Sequence, residues 1–365
     1  MSASGGPVGG VRSRAPRIAV VRAGAIGDTL MATPLVRAIR RTYPGAYLAF
    51  LCARSACDVV RYSRHIDEVI PLGGRHLPAW LSLEKSRIVR RLKELRLDSM
   101  LMLESHPSFT EFARRSGAVR IISYGALPGV KGAELAIFDP KKHGIENNLR
   151  AAEPLGVRPD GLQMDMHYPE EFDGRIRERL RLAGIDPDAR IVGVHAGWGG
   201  RKHSLHQTRL KSWPPDRFAR IAGSLGANGK ARVVLTGAAV DRPLTELIAR
   251  QSGVDCLNLA GELSLLELAA LIRRVDAYVS VDSGPGHMAA ALGTPVVVLW
   301  GPAILEQTRP IPSNPGAVRI IREPVPCAPC YGTPLMKTCQ DNICMKRIGV
   351  ERVEEAIREL LVRPE

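Results

Sequence analysis

The sequence predicts an α/β fold of two doubly wound lobes with a cleft between them. Short apolar strands alternate with amphipathic helices in both halves of the chain, which is typical of parallel sheets covered by helices on both faces. Each half also carries a glycine-containing loop directly after a strand, at residues 23–28 and 282–286. Because the chain has 365 residues, it is long enough for two domains of ordinary size.

In the first half, the alternation starts at residue 17 and continues to residue 124. Residues 125–149 look irregular, and residues 151–168 look like the connection between the lobes. The predicted strands are 17–22, 47–52, 69–72, 99–103 and 118–124, and the predicted helices run from residue 28 to about 43, from about 55, and over 83–95 and 109–116.

The second half repeats the pattern from residue 170 onwards. We expect a disordered lead-in at 1–15, a first lobe at 16–165, a second lobe at 166–348 and a final helix at 349–365, which can pack back on the first lobe. The predicted strands are 191–195, 232–236, 256–259, 277–281 and 295–300, and the predicted helices are 170–183, 216–225, 244–251, 265–273, a short one near 288–292, and 351–361.

Composition limits the classes of partner. Lysine and arginine number 51 against 37 acidic residues, a net charge of +14. Such a basic chain suits nucleic acid, an anionic membrane surface or an acidic substrate. Aromatic residues are only 5% and do not interleave with the basic runs, so a stacking platform for single-stranded nucleic acid is not supported. No run of 18 apolar residues exists, and the N-terminus lacks a signal-peptide core, which predicts a cytoplasmic protein.

The sequence VDSGPGHMAAALGTPVVVLWGP at residues 281–302 is the most informative stretch. It predicts the end of a strand, a glycine loop, a short buried helix and a second strand. A helix N-terminus behind glycines offers free N–H groups and a partial positive charge, which suits a phosphate. Asp282 would repel a bare phosphate, so it favours a ligand with hydroxyls beside its phosphates, such as a nucleotide sugar. Alternatively, Asp282 or Ser283 caps the helix and His287 is a hydrogen-bonded core residue.

The first-lobe loop has the sequence GAIGD, from Gly24 through Gly27 to Asp28. It lacks the third glycine of a dinucleotide-binding loop, and no acidic residue ends the next strand, so a dehydrogenase is not favoured. Asp28 follows a strand at the start of a helix, where a carboxylate can accept a proton from a hydroxyl as a general base. The alternative is that Asp28 only caps the helix.

Further loops follow strands of the second half. Gly197 and Trp198 lie in the sequence HAGWGG, and Lys211 precedes a Trp-Pro-Pro sequence. Lys211 near a glycine loop can neutralise a diphosphate leaving group, although a lysine before a tryptophan is more commonly a surface residue. Asp241, after the sequence TGA, can bind ribose hydroxyls or cap the next helix.

These motifs together resemble glycosyltransferase family 9, the heptosyltransferases. The resemblance rests on the GAIGD loop with Thr33-Pro34 after it, the Lys211-x-Trp213-Pro214 element, the TGA loop at 236–238 and the 281–302 stretch, and it covers nearly all of residues 17–361. It implies a GT-B fold, in which a first Rossmann-like lobe binds the acceptor and a second binds a nucleotide sugar. The implied activity is inverting transfer of heptose from ADP-heptose to the inner core of lipopolysaccharide, without a required cofactor.

The resemblance also implies roles for single residues. Asp28 matches the catalytic base, Lys211 the phosphate-binding lysine, and Asp282 the carboxylate that holds the heptose hydroxyls. A basic insertion at 201–210, ahead of Lys211, departs from the family pattern. The other residues implied at the donor site are Gly197 and Trp198 in their loop, Asp241 at the ribose, Leu263 at the adenine, and Ser283, Gly284 and His287 beside the pyrophosphate.

The implied partners are ADP-heptose and an acidic glycolipid acceptor at the membrane face. An acidic acceptor on an anionic inner membrane would also explain the net charge of +14. We therefore expect a cytoplasmic enzyme, peripheral on the inner face of the plasma membrane, with no nucleic-acid partner.

Four of the seven cysteines lie close together in the sequence, at Cys327, Cys330, Cys339 and Cys344. Four thiolates suit zinc or iron, and disulfides are disfavoured in a cytoplasmic chain. Some branches of the family that the chain resembles bind metal in this region, which implies a structural zinc or iron. The alternative is four reduced, packed thiols.

Two other functions stay open from the sequence. A nucleotide-sugar epimerase on the same fold would act on the donor alone. A metal-stapled nucleic-acid-binding protein would use the basic helices and show salt-sensitive affinity, but it leaves Asp28 and Asp282 unexplained.

Overall fold

The computed structural model of the protein describes residues 14–73, 82–104, 106–127, 129–197 and 210–362. These residues form two six-stranded parallel sheets, one in each half of the chain, with helices packed on them. The prediction of two doubly wound α/β lobes is therefore confirmed. The predicted disordered lead-in at 1–15 falls largely on residues outside the described part, and the lobe boundaries near 165 and 348 stay a proposal.

The first sheet consists of β1 (Arg17–Arg22), β2 (Tyr47–Ala53), β3 (Glu68–Leu72), β4 (Ser99–Met102), β5 (Arg120–Ser123) and β6 (Glu134–Leu135). Its strand order is β3-β2-β1-β4-β5-β6, so the winding reverses between β1 and β4. The central strands are apolar and buried along nearly their whole length, as expected of strands covered on both faces. In the register of β1 against β2, Val20 lies opposite Phe50.

The helices of this half are α1 (Ile26–Leu30), α2 (Thr33–Thr42), α3 (Cys57–Val60), α4 (Leu83–Leu95), α5 (Pro107–Ser116) and α6 (Gly144–Arg150). The irregular structure predicted for 125–149 is partly wrong, because this region contains β6 and α6. His143 caps α6 through its ring nitrogen, which accepts from the N–H of Ile145. The helix buries Ile145 and Leu149 together with Asn147 and Asn148, and its seven residues are too few to show a clear apolar period in the sequence.

The second sheet consists of β7 (Ile191–His195), β8 (Arg232–Thr236), β9 (Cys256–Asn258), β10 (Ala277–Val281), β11 (Val296–Leu299) and β12 (Val318–Ile321). Its order is β12-β11-β10-β7-β8-β9, with the reversal between β7 and β10. The helices are α7 (Glu171–Leu182), α8 (Pro215–Gly226), α9 (Arg242–Ser252), α10 (Leu265–Arg274), α11 (Gly284–Leu292), α12 (Leu305–Thr308), α13 (Pro334–Thr338), α14 (Ile343–Lys346) and α15 (Val350–Leu361).

The expectation that the final helix, 349–365, packs back on the first lobe is wrong for its described part. α15 packs against α8 and against β10, β11 and β12 of the second sheet. Its apolar stripe, including Val353 and Ile357, is fully buried in the same cluster as Val297 and Leu299. The apolar face of α15 is therefore buried against its own lobe and is not available to pack on the first lobe.

Ligands of open α/β sheets bind beyond the carboxyl ends of the strands, where the winding reverses. In this protein, those points are the loops after β1 and β4 and the loops after β7 and β10. The two glycine loops singled out in the sequence are the loops after β1 and β10. Across the described residues, no helix is both long enough and apolar enough to span a bilayer.

Candidate active site

Asp28 lies in the first turn of α1, just after β1. Its Oδ2 accepts a hydrogen bond from the backbone N–H of Ala25 at 2.9 Å, and its Oδ1 accepts one from Arg22 Nη2 at 2.8 Å. The capping role considered from the sequence is therefore present, but it uses only one oxygen. The side chain is 35% exposed, so its remaining lone pairs can reach a ligand. A Cβ at Gly24 would come within 2.4 Å of Asp28, which is why this position requires glycine.

Arg22 holds Asp28 from the carboxyl end of β1. Its guanidinium also donates to the carbonyl of Leu103 at 2.7 Å and pairs with Glu104 at 3.4 Å, both just after β4. Burial opposes the charged form of Arg22, but the carboxylates of Asp28 and Glu104 outweigh it and raise the pKa of Arg22 above its ordinary value. Arg22 therefore stays charged and shares that charge between two carboxylates.

Lys211 and Asp282 form a buried ion pair in the second lobe. Nζ lies 2.6 Å from Asp282 Oδ2, and the two side chains are only 8% and 10% exposed. The alternative that Lys211 is a surface residue is therefore wrong. The aromatic ring of Tyr331 lies 4.5 Å from the same ammonium, measured to its centroid, which adds a cation–π contact.

The N-terminus of α11 follows Asp282 directly. Ser283 occupies the N-cap position, yet among the described residues its side chain caps no N–H of the helix, and its Oγ lies 2.9 Å from Ser280 Oγ. The capping alternative therefore does not fit Ser283. The first turn of α11 keeps its partial positive charge for a ligand, which is the arrangement that suits a phosphate.

His287 of α11 lies between the two glycine loops. It is 5% exposed, and a Cβ at Gly27 of the first lobe would lie 3.0 Å from its Cδ2. Within the described part of the chain, its Nδ1 has no hydrogen-bond partner, which disfavours a satisfied core histidine. Burial lowers the pKa of His287 below its ordinary value, and the carboxylates of Asp282 and Asp28 offset this only partly. The imidazole is therefore neutral at pH 7.

The two lobes touch at these loops. A Cβ at Gly284 would lie 2.8 Å from the Cβ of Ile26, so α11 packs directly on α1. Away from the loops, Gln307 Nε2 donates to the carbonyl of Pro140 at 2.6 Å, and His143 Nε2 lies 2.9 Å from the carbonyl oxygen of Arg309. The structure thus gathers one group of residues predicted from the sequence around the lobe contact, namely Asp28, Gly24, Gly27, Lys211, Asp282, Ser283, Gly284 and His287.

A second group of residues predicted from the sequence lies in the second lobe, after the neighbouring strands β7, β8 and β9. A Cβ at Gly197 would lie 2.2 Å from Asp241 Cγ, so these two residues pack against each other. Asp241 Oδ2 accepts from the N–H of Ala238 at 2.9 Å, which is the capping alternative, and leaves its ribose role open. Leu263 is partly buried just beyond β9. Trp198 and most of the basic insertion, 201–209, lie outside the described residues.

The backbone around Lys211 is fixed by contacts with the C-terminal region. Trp213 is 1% exposed, and its Nε1 donates to the carbonyl of Ile348 at 3.1 Å. Asn342 Nδ2 donates to the carbonyl of Ser212 at 2.8 Å and lies 3.4 Å from that of Leu210, on either side of Lys211. Lys211 is therefore held from both sides before any ligand arrives.

The expected zinc or iron site at the four cysteines is not supported by their arrangement. Among the described residues, no three His, Cys, Asp or Glu side chains are placed to hold a metal ion. Cys330 and Cys339 instead pack with Leu210 and Met336. Burial, with a smaller contribution from the other thiols, raises the pKa of Cys344 to about 11, so this group is a thiol at pH 7. The alternative of reduced, packed thiols fits Cys327, Cys330, Cys339 and Cys344 better.

Four residues near the site were missed by the sequence reasoning. Arg22 and Glu104 could have been identified from the sequence, since each is a charged residue at the end of a buried strand beside the point where the strand order reverses. Tyr331 and Asn342 carried none, because their contacts join segments more than 100 residues apart in the sequence.

The chain is similar to proteins of known structure and activity. Residues 203–335 match the model of glycosyltransferase family 9 (heptosyltransferase). Lipopolysaccharide heptosyltransferase 2 of Salmonella typhimurium is 26% identical over 319 residues, which cover 84% of this chain and 88% of that protein. The structure of a family 9 glycosyl transferase from Veillonella parvula has a TM-score of 0.80 at 20% identity, over 97% of this chain and 99% of that one. That of E. coli ADP-heptose LPS heptosyltransferase II has a TM-score of 0.72 at 22% identity, over 95% and 98%.

The two parallel sheets, whose reversal points meet at the glycine loops, have the GT-B fold of these solved structures. Within that fold, residues 203–335 match the glycosyltransferase family 9 domain, and the chain over most of its length is similar to lipopolysaccharide heptosyltransferases. The resemblance inferred from the sequence motifs is thereby confirmed, and the protein is a transferase enzyme.

Proposed function

We propose that this glycosyltransferase moves a heptose from ADP-heptose to an acidic glycolipid of the lipopolysaccharide core, with inversion at the anomeric carbon. The donor and acceptor come from the relatives, whose names give ADP-heptose and lipopolysaccharide. The observation that supports the proposal most is the position of His287, which is buried close to Asp28 of one lobe and Asp282 of the other. A sugar bound at α11 would therefore lie within reach of a carboxylate from each lobe.

Asp28 is the general base of this reaction. An acceptor hydroxyl oxygen attacks the anomeric carbon and gives its proton to Asp28, while the bond from that carbon to the diphosphate oxygen breaks and its electron pair leaves with ADP. The transition state has oxocarbenium character, as in glycoside hydrolysis. Arg22 and the N–H of Ala25 orient the carboxylate and leave part of it accessible.

Lys211 and the N-terminus of α11 stabilise the charge that develops on the departing diphosphate. Since Lys211 is paired with Asp282 at 2.6 Å in the structure, donor binding exchanges partners. The ammonium turns to the diphosphate, and the Asp282 carboxylate turns to the heptose hydroxyls. The remaining donor contacts in the proposal are Ser283, Gly284 and His287 at the pyrophosphate, Asp241 at the ribose, Leu263 at the adenine, and Gly197 and Trp198 in their loop.

We assign no metal to the reaction, because fixed positive groups of the protein already face the leaving group. A structural zinc or iron at the four cysteines would hold the 327–344 segment and take no part in transfer. Elemental analysis of the purified protein tests this, since bound metal would give close to one atom per chain and packed thiols less than about a tenth.

The acceptor also sets the location of the enzyme in this proposal. A glycolipid acceptor places the reaction at an anionic membrane surface, on the cytoplasmic side where a nucleotide sugar is available. The net charge of +14 suits such a surface and needs no nucleic acid to explain it.

The test is a transfer assay with ADP-heptose and a heptose-deficient core glycolipid. Asp28→Asn should lower turnover by roughly 10²–10⁴ with ADP affinity retained, because the base is lost and the donor lobe is intact. Asp188→Asn, an exposed carboxylate in a turn, is the matched control and should behave as wild type. Full turnover in Asp28→Asn would remove the base assignment, and no product from wild type with ADP-heptose would remove the donor.

The epimerase alternative is separated by one further incubation. A transferase leaves ADP-heptose unchanged without acceptor, apart from slow hydrolysis, whereas an epimerase converts it to an isomer. Conversion of the donor alone would therefore replace the proposed function.

A further inference from the structure

The first lobe carries an exposed apolar patch that the proposed reaction does not use. Leu135, Ile137 and Phe138 are 64%, 65% and 51% exposed. Ala136 between them is buried, so Leu135 and Ile137 lie on one outward side of the extended chain. Large apolar side chains grouped in this way on a surface mark an interaction site.

The patch lies at the edge of the first sheet. β6 is the end strand and pairs with β5 in parallel, with Leu135 opposite Ser123. An uncovered edge strand with apolar side chains is a liability that native proteins cover or flank with charge. This edge is flanked by charge, and the sign of that charge selects the partner.

Lysines flank the patch on both sides. Lys131 precedes β6 and Lys141 follows Phe138, and both are exposed. Within the described part of the chain, neither of them belongs to an ion pair, so their charges are available to a partner. The local carboxylates already have cationic partners, since Glu134 pairs with Arg120 at 2.7 Å, Asp139 with Arg150 at 3.8 Å, and Glu146 with Lys142 at 3.4 Å.

The patch shares the carboxyl edge of the first sheet with the candidate base. Phe138 stacks edge-on against Tyr124, which follows β5, with ring centroids 5.5 Å apart. Tyr124 in turn lies close enough to Arg22 to interact with its charge, and Arg22 holds Asp28. An amphiphile resting on the patch would therefore have its head group on the same side of the lobe as Asp28.

We propose that residues 131–142 dock the first lobe on an anionic lipid bilayer, with Leu135 and Ile137 entering the acyl region and Lys131 and Lys141 on the head groups. At the surface of an anionic bilayer, apolar side chains enter the acyl boundary and lysines are attracted to the head groups, so a segment that offers both binds there. A second copy of the chain at this edge would bring like charges together. The inference rests on the proposed function, since it supplies the reason for an acceptor in a membrane.

Binding is measured by co-sedimentation with vesicles of phosphatidylglycerol and phosphatidylcholine, against vesicles of phosphatidylcholine alone. Wild type should bind the anionic vesicles and release them in high salt. Leu135→Ser with Ile137→Ser should weaken partitioning by about tenfold or more. Lys131→Ala with Lys141→Ala should weaken it by roughly fivefold per lysine. The matched controls are Leu182→Ser with Val240→Ser, both exposed on the second lobe, and Lys230→Ala with Lys337→Ala.

Turnover on two acceptors separates this inference from the proposed function. The Leu135→Ser, Ile137→Ser variant should keep wild-type turnover on a deacylated, soluble acceptor and lose it on the same acceptor embedded in vesicles. Failure of wild type on both acceptors contradicts the proposed function, while the vesicle binding data still stand on their own. Equal binding of wild type and both patch variants to anionic vesicles overturns the docking surface. A wild-type dimer that the apolar variant converts to monomer, with no vesicle binding, assigns the edge to a second copy instead.

Discussion

Under the proposed function, the buried pair of Lys211 and Asp282 couples the stability of the second lobe to donor binding. Both side chains are at most 10% exposed, so removing either charge leaves the other buried with less compensation. A diphosphate can replace the carboxylate as the partner of Lys211, and sugar hydroxyls can replace the ammonium as the partner of Asp282. Donor affinity therefore reflects an exchange of partners, not the addition of contacts to free groups.

A double-mutant cycle on this pair should show strong coupling. Asp282→Asn leaves a buried ammonium without its carboxylate, so the free energy of unfolding should fall by about 3–5 kcal/mol. In the double variant Lys211→Met with Asp282→Asn, the loss in the free energy of unfolding, measured by urea denaturation, should be smaller than the sum of the losses in the two single variants. The same cycle on the exposed pair Lys346–Asp341, 2.5 Å apart, is the control and should give coupling below about 1 kcal/mol. An Asp282→Asn protein as stable as wild type would contradict the coupling.

Asp28, Asp282 and His287 could be found from the sequence because each stands beside a glycine loop at the end of a strand. That position follows from local pattern and from the rule that parallel strands present their carboxyl ends at one edge. The partners of these residues could not be found in the same way. Arg22 is only six residues from Asp28 in the sequence, so that contact is local. The ion pair of Arg22 with Glu104 forms only because β1 and β4 are neighbours in the sheet.

Among the elements, the C-terminal segment 327–346 has a defined structural task. It places the ring of Tyr331 beside Lys211 Nζ, and Asn342 against the carbonyls on either side of Lys211. Leu210 packs with Cys330, Met336 and Cys339 on the same side. The cysteines therefore belong to an element that orients Lys211, whether or not they carry a metal.

Asn342→Leu should impair transfer more than it impairs folding. The substitution keeps the approximate size of the side chain and removes its hydrogen bonds to Leu210 and Ser212, at a stability cost of about 1–2 kcal/mol. Because Lys211 then loses its fixed position at the leaving group, kcat should fall by roughly tenfold or more. Thr338→Val, in the same segment, removes a hydroxyl that bonds only to the carbonyl of Leu335 among the described residues, and should leave kcat unchanged. Equal kcat in both variants would contradict the positioning role.

The strands are predicted from the sequence pattern more accurately than the helices. All strands of the two described sheets except β6 and β12 are predicted within a few residues, because most are short apolar runs between turn signals. α6 was missed because it is only seven residues long and because, beside the apolar Ile145 and Leu149, it buries Asn147 and Asn148, which donate to the carbonyls of Asp139 and Met31. The surface on which the final helix packs could not be predicted, because an amphipathic pattern reports an apolar face and not the surface that receives it.

The stability of the whole molecule should depend on pH through His195. Burial lowers the pKa of His195 to about 4. Its Nδ1 lies 3.2 Å from Thr236 Oγ1 inside the second lobe. Below about pH 6.5 the unfolded chain binds a proton that the folded chain refuses. Stability should therefore be present above pH 6.5 and be lost as pH falls towards 4, by about 3 kcal/mol from this group. His195→Asn should flatten this part of the dependence of the unfolding free energy on pH.

Transfer also requires the two lobes to meet at the distance that the glycine loops allow. At Gly284 an added Cβ would lie 2.8 Å from Ile26 Cβ in the other lobe, whereas at Gly286 its nearest neighbour would be Ser280 Oγ at 3.4 Å. Gly284→Ala should therefore force α11 away from α1 and separate Asp28 from the bound sugar. Gly286→Ala, two residues further along the same helix, meets only an ordinary contact in its own lobe.

We expect Gly284→Ala to lower turnover by about ten- to a hundredfold, the cost of a displacement of roughly 1 Å between reacting groups. ADP affinity, measured by calorimetry, should change far less, because the proposed nucleotide site lies within the second lobe. Gly286→Ala should keep both values near wild type and so exclude a general effect on α11. A parallel loss of ADP affinity and turnover in Gly284→Ala would mean that the glycine serves the diphosphate directly, and the lobe contact would then not be what sets the distance for transfer.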